Sequence, residues 1–158
     1  MIVFEDQTTV QGKYEDITRY KKMTLEEKQI EITEEFEVFD DWMDKYEYII
    51  ELGKELPIIS EENKTESKLI EGCQSRVWLN SELKEGRMQF TADSDAIITK
   101  GIIGLLIRVL NNETPETIAT SDLHFIADIG LQEHLSPRRA NGLASMVQKM
   151  KLSALKSI

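Results

Sequence analysis

Apolar residues recur at helical spacing in the first third of this chain, alternate with polar ones in the middle, and return to helical spacing afterwards. Ile32, Phe36 and Phe39 share one face of a segment that opens with Thr24 and Glu27. Those two form a capping box: the hydroxyl takes the amide three residues on, and the carboxylate reaches back. The pattern predicts a helix to about Phe39. Asp40 or Asp41 caps a second helix, with Trp42, Tyr46, Ile49, Ile50 and Gly53 at helical spacing, and Leu56-Pro57 ends it. Residues 60–67 are polar and read as a surface loop.

The period then becomes two. Leu69-Ile70-Glu71 reads as a short strand; Val77, Leu79 and Leu83 alternate with polar residues; Met88, Phe90 and Ala92 do so on the return. Lys84-Glu85-Gly86-Arg87 is the hairpin turn between them. The expectation is a small antiparallel sheet of about three strands. Asp93-Ser94-Asp95 closes the hairpin and offers caps for a third helix, about Ala96 to Leu110, apolar nearly all round and therefore the buried centre. Gly101 and Gly104 inside it read as points of close packing. Thr114-Pro115 opens a short helix, with Pro where its missing N–H costs nothing. Ser121-Asp122 opens another that ends at Gly130, and Ser136-Pro137 starts a final helix reaching almost to Ile158. The fold class is α+β, helices packed on one small sheet.

Composition narrows the function classes. The chain has 158 residues, 41% hydrophobic and 30% charged, enough for one domain with a real core. Residues 1–22 show no sustained period and read as a loose tail before a domain spanning 23–158. Met23, just ahead of the capping box, is a candidate initiator; N-terminal sequencing of the native protein that began at Met1 would refute this. No apolar run approaches the roughly 18 residues that span a membrane. The first residues lack the basic start and apolar stretch of a secretory signal, so a cytoplasmic location is expected. A single cysteine, unable to form an internal disulfide, fits a reducing compartment. Net charge is −10, with 15 acids against 4 bases over residues 24–66 and 10 against 11 over 67–158. That argues against nucleic acid. It suits a basic protein partner, although a solvated helical face is the simpler explanation.

Several chemistries lack their residues. There is no glycine-rich phosphate loop and no paired-cysteine metal motif. His124 and His134 with Cys73 make at most a weak zinc set. Asp93 and Asp95 are a candidate carboxylate pair, but helix capping is the simpler explanation. Cys73 remains. It follows Gly72, precedes Gln74-Ser75-Arg76, and only then does Val77-Trp78-Leu79 begin. That setting describes a thiol on a loop at a strand edge. Its nucleophilic form is the thiolate, which needs a lowered pKa or a donor-rich pocket; Gln74, Ser75 and local amides are candidate donors.

The segment Gly72-Cys73-Gln74-Ser75-Arg76-Val77-Trp78 resembles the G-C-Q-S-x-V-W signature of the SufE family of sulfur-acceptor proteins, which includes the CsdE branch. Three further segments agree in order and spacing: Trp42 with Lys45 to Gly53, Asp93 to Ile98 with Lys100-Gly101, and His134 to Gly142. The likeness covers roughly residues 25–155. The resemblance implies a SufE/IscU-like fold and a sulfur carrier for Fe–S cluster assembly. By that likeness, Cys73 takes sulfane sulfur from a SufS-type, PLP-dependent cysteine desulfurase, stimulates it, and passes sulfur to a SufBCD-like complex. The PLP belongs to the desulfurase, and no cofactor is expected on this chain. Arg139 matches an arginine near the family's sulfur site, with Arg138 the adjacent ambiguity; Gln74 and Asp95 are candidates for loop geometry and docking. Trp78 and the start of the last helix are candidate walls for a sheltered Cys73. A monomer is expected. IscU-type scaffolds use three cysteines, which this chain lacks. The remaining alternatives are a non-catalytic adaptor with Cys73 incidental and a CsdE-type acceptor feeding another sulfur pathway.

Overall fold

The computed structural model describes residues 23–158, and the tail expected over residues 1–22 lies outside them. Seven helices and a two-stranded antiparallel sheet make up an α+β fold among the described residues. In chain order they are α1 (Leu25–Glu37), α2 (Trp42–Gly53), β1 (Val77–Lys84), β2 (Arg87–Ser94), α3 (Ile97–Leu110), α4 (Pro115–Ala119), α5 (Phe125–Asp128), α6 (Leu131–His134) and α7 (Pro137–Lys156).

Capping sets most of the helix starts. Thr24 accepts from the Glu27 amide, Asp41 from Asp44, Thr114 from Thr117 and Ser136 from Arg139. The hairpin is in the register Val77↔Ser94 to Lys84↔Arg87. Glu85 and Gly86 both take positive φ (53° and 78°), as a two-residue turn between right-twisted strands demands. Val77, Leu79, Met88, Phe90 and Ala92 are buried as the alternation predicts. Leu83 is not: it sits near the hairpin tip, beyond the core, and is 51% exposed.

Four expectations need correction. The sheet has two strands, not three. Two 3-10 turns, Glu61–Asn63 and Glu66–Lys68, leave Leu69 only an isolated antiparallel bridge to Trp78. The helix expected from Ser121 to Gly130 is two short turns, α5 and α6. The Ser121 hydroxyl donates to the Ile118 carbonyl, the Ser121 and Asp122 carbonyls accept from Lys151 and Gln29, and α5 starts after His124 with no side-chain cap. Neither Asp93 nor Asp95 caps α3, whose N-cap position is Ala96 with no side-chain cap. Of the two glycines in α3, Gly104 has ordinary room, with its nearest neighbour 3.8 Å from a hypothetical Cβ.

Gly101 is different. A Cβ there would stand 2.1 Å from the Ile49 carbonyl oxygen, and one on Gly53 would stand 3.0 Å from the Gly101 amide nitrogen. The α2 and α3 backbones therefore meet with nothing between them, as only glycine allows. α3 is the buried centre, with ten of its 14 residues buried. Its one charged residue in the last turns, Arg108, is paired with Glu31 and Glu35 on α1. Glu35 also accepts from the Tyr48 hydroxyl on α2. Burial works to raise the Glu35 carboxyl, but the hydrogen bonds from Arg108 and Tyr48 and the arginine charge hold it below its ordinary value. Burial and the Glu35 carboxylate push the Tyr48 phenol up to about 12. Buried Gln29 ties α1 to the start of α5, donating to the Asp122 carbonyl and accepting from the Phe125 amide.

Candidate functional site

Cys73 lies in the loop between Ile70, which is hydrogen-bonded to Val77, and the start of β1. Gly72 ahead of it has φ +92°, a conformation L side chains rarely adopt, and its backbone passes over Ser145 on α7. That turn delivers Cys73 onto the first half of α7. The thiol is half-buried, and its Sγ is 3.6 Å from the Gly142 carbonyl oxygen, the acceptor for its proton. Gly142 presents no side chain, so the sulfur, Cα and Cβ of Cys73 all rest against the helix at van der Waals distance of where a Cβ would be.

The far end of the loop is fastened to the end of β2. The Arg76 amide donates to the Asp95 carboxylate at 3.1 Å, and the Arg76 carbonyl accepts from the Ser94 hydroxyl at 2.8 Å and the Asp95 amide at 3.3 Å. Asp95 is thus neither a cap nor half of a carboxylate pair. Asp93 points elsewhere, to Lys64 at 2.9 Å and Lys100 at 3.4 Å. Burial opposes its ionisation, but the Lys64 hydrogen bond, the Ser94 amide and the two ammonium charges keep its carboxyl below the ordinary value.

A cleft of about 340 Å³ opens beside the sulfur. Thr99, Ile102 and Met146 form its inner lining, and Gln74, Asp95, Arg138 and Arg139 its charged and polar rim. The structure therefore brings Cys73, Gln74, Asp95 and Arg139 together. Gln74 is exposed, and its side chain makes no hydrogen bond to the described residues. Arg139 donates from its guanidinium to the Tyr46 hydroxyl at 2.7 Å and lies 5.9 Å from the centroid of that ring. The start of α7 is a wall of the cleft, as expected. Trp78 is not; it lies outside the lining, with the Lys64 ammonium 4.6 Å from its ring.

Sequence reasoning overlooked the inner lining. Thr99, Ile102 and Met146 are separated from Cys73 by at least 26 residues and read as ordinary helix residues. Gly142 was legible only as part of a matching segment, and nothing in its neighbours announces that it faces a thiol.

Burial pushes the Cys73 thiol up from its ordinary value. The carbonyl acceptor suits the protonated sulfur as well. At rest, then, Cys73 is a sheltered thiol rather than a standing nucleophile. The zinc set is not assembled: no cluster of three or more His, Cys, Asp or Glu fit for a metal occurs among the described residues. His124 instead bridges Asp128 and Glu26, and those hydrogen bonds raise its pKa. His134 stacks on Trp42 with ring centroids 4.3 Å apart. No helix of the described residues is long and apolar enough to cross a membrane.

The family model for SufE, the Fe–S metabolism associated domain, matches residues 30–154, which include the whole cleft. The chain belongs to the SufE family. It is 36% identical over 129 residues to an uncharacterised SufE-like protein of Rhizobium meliloti (strain 1021), covering 78% of this chain and 92% of that one. It is 38% identical, again over 129 residues, to an uncharacterised SufE-like protein of Rhizobium etli, with 78% and 87% covered. Among solved structures it is similar to the solution structure of a hypothetical protein from Thermus thermophilus, with a TM-score of 0.68, 82% and 94% of the chains covered, and 21% identity. That last likeness is one of fold.

Proposed function

We propose that this SufE-family protein is a sulfur acceptor and carrier, with Cys73 as the accepting group. The donor is the persulfide of a SufS-type, PLP-dependent cysteine desulfurase. The Cys73 thiolate attacks the terminal sulfur of that persulfide. A new S–S bond forms at Cys73, the donor's own S–S bond breaks, and the donor cysteine leaves as a thiolate ready for another turnover. No net oxidation occurs, because the sulfane sulfur moves between two thiols. Delivery to a SufBCD-like assembly complex is the same exchange run onward.

The observation that supports this most is the seat of Cys73. Its sulfur is half-buried against a bare glycine backbone, on a loop that only a few polar bonds fasten to β2. Such a seat shields a persulfide from stray thiols and oxidants, yet lets it leave when a docking partner competes for those bonds. The Asp95 carboxylate on the Arg76 amide is then a latch on the loop, and Gln74 a rim residue that meets the partner. Burial holds the thiol's pKa up at rest, so partner docking both exposes and activates it.

A second reading has one feature in its favour. The 15 acids against 4 bases over residues 24–66 suit a non-catalytic adaptor that docks a basic desulfurase surface. Intact mass without reductant, after incubation with a SufS-type desulfurase, PLP and cysteine, separates the two. A carrier gains one sulfur atom at Cys73, released by dithiothreitol, and Cys73→Ser abolishes both the gain and the stimulation of the desulfurase. If Cys73→Ser still stimulates, and the wild type gains no sulfur while the desulfurase is persulfidated, the adaptor reading stands. A CsdE-type acceptor shows the same gain and differs in the complex it then serves.

A further inference from the structure

Three buried side chains line the inside of the Cys73 cleft, and of these only Thr99 can donate a hydrogen bond; Ile102 and Met146 cannot. Thr99 is 7% exposed, yet its hydroxyl bonds to no described residue. Thr33 shows the common alternative, turning its hydroxyl back onto the Gln29 carbonyl one turn earlier. Among the described residues no fully buried side-chain nitrogen or oxygen lacks a partner, so an unbonded Thr99 hydroxyl must border open space. The open space that Thr99 lines is the cleft. A buried hydroxyl with no protein partner costs stability, and a group so placed calls for a ligand that completes it. The resting thiol is not that ligand. Its Sγ faces the Gly142 carbonyl at 3.6 Å, and no hydrogen bond joins it to Thr99.

A loaded sulfur changes the geometry. The terminal sulfur of a persulfide stands about 2 Å beyond Sγ. It ionises more readily than a thiol, so it brings negative charge where the thiol brought a proton. The Gly142 carbonyl, an acceptor itself, repels that charge, and the free volume beside Sγ is the cleft. Thr99 lies in the first turn of α3, whose N-cap position, Ala96, has no side-chain cap, so the positive end of that helix adds to the field of the hydroxyl. The charged and titratable groups lining the cleft are Cys73 itself, Asp95, Arg138 and Arg139. Asp95 is bonded to the Arg76 amide, and the two guanidiniums bring charge to the rim. We propose that the Thr99 hydroxyl is the hydrogen-bond donor to the sulfane sulfur carried on Cys73, a partner for the loaded state and not for the resting thiol. This role stands beside that of the rim arginines, and it rests on the carrier reading.

The test begins with the full-length protein loaded partway by a SufS-type desulfurase, PLP and cysteine. The desulfurase and small molecules are then removed, and the protein is alkylated with iodoacetamide across a range of pH. Intact mass separates alkylated thiol from alkylated persulfide in the same tube. A hydrogen bond to the charged form favours that form, so losing the donor raises the pKa. In Thr99→Val, which keeps the shape without the hydroxyl, the persulfide midpoint should rise by about one pH unit, slowing its alkylation below the midpoint by up to about tenfold. The thiol midpoint should coincide with wild type, and Thr99→Ser should keep the wild-type persulfide profile. The urea midpoint of Thr99→Val should be no lower than wild type, because no protein partner loses a bond. A hydroxyl kept for the fold would instead cost that variant stability and leave its persulfide midpoint in place. Thr99→Ala against Thr99→Ser repeats the comparison with smaller side chains should valine pack badly. A persulfide midpoint in Thr99→Val that coincides with wild type, or a thiol midpoint that moves as far, overturns the proposal. The two readings fail differently. A loaded wild type with coincident profiles removes Thr99 and leaves the carrier. A wild type that gains no sulfur while the desulfurase is persulfidated removes the carrier, and the Thr99 donor with it.

Discussion

A glycine leaves a helix backbone bare against a neighbour at two junctions among the described residues, and the two differ in depth. Between α2 and α3, a Cβ on Gly101 would stand 2.1 Å from the Ile49 carbonyl oxygen, with backbone on both sides. Between the Cys73 loop and α7, a Cβ on Gly142 would stand 3.6 Å from the thiol sulfur, an ordinary contact. The first junction is locked: neither element can move without the other. The second is a seat, where a side chain rests on a helix with room to leave. A carrier needs both, because a loop can release its cargo reproducibly only if the frame beneath it stays still.

The largest effect should come from breaking the locked junction. In Gly101→Ala the new methyl meets main-chain oxygen, which cannot rotate away, so α2 must be displaced from the centre of the core. Overpacking of this kind should cost about 3 kcal/mol in urea unfolding, at the upper end of what inserted carbons usually cost. A loss under about 1 kcal/mol would show that the α2–α3 crossing yields easily, and the contrast between the two junctions would fail.

Gly72→Ala probes the entrance to the seat and should cost less, about 2 kcal/mol, from two separable sources. One is the positive φ, which no neighbour can relieve. The other is the Ser145 hydroxyl, 2.4 Å from the position of the new Cβ. Removing that hydroxyl with Ser145→Ala should restore only the second part. A double-mutant cycle reads the split directly. Full rescue by Ser145→Ala would mean that the loop tolerates the backbone strain and is softer than its geometry suggests.

The frame of helices and hairpin was more legible in the sequence than the seat, for a physical reason. Helix starts, the hairpin turn and the buried face of the sheet are written in local spacing. Thr24, Asp41, Thr114 and Ser136 cap as their positions imply, and Val77, Phe90 and Ala92 point inward as alternation requires. The failures arose where a residue's polar groups are taken by something distant. Lys151 and Gln29 claim the carbonyls that a helix from Ser121 would have used internally. Lys64, Lys100 and the Arg76 amide claim the two aspartates expected to cap α3. The site divides in the same way. Cys73 and its rim residues stood out in the matching segments, but the Gly142 seat, the Ser145 contact and the Tyr46 tether on Arg139 join residues 69 or more apart. No local pattern carries such pairings; they exist only once α7 has docked.

The smallest effect, and the one of opposite sign, should come from Gly142→Ala. This glycine has an ordinary helical backbone, and the nearest atoms to its hypothetical Cβ are Cys73 Sγ, Cα and Cβ at 3.6, 3.8 and 3.9 Å. Alanine in a helix interior is favoured over glycine by roughly 0.5–1 kcal/mol, and here no steric penalty offsets it. Urea unfolding should therefore show a variant as stable as wild type or more stable by up to about 1 kcal/mol. The added methyl also lies against the resting sulfur, giving it apolar contact that it must abandon on leaving, so Cys73 should alkylate more slowly than in wild type at the same pH. Greater stability together with slower alkylation would mark the seat as a shallow contact that trades firmness for access. Destabilisation by more than about 1 kcal/mol would instead put Gly142 in the same class as Gly101. In that case Cys73 would be clamped rather than seated, and its release would require α7 itself to move.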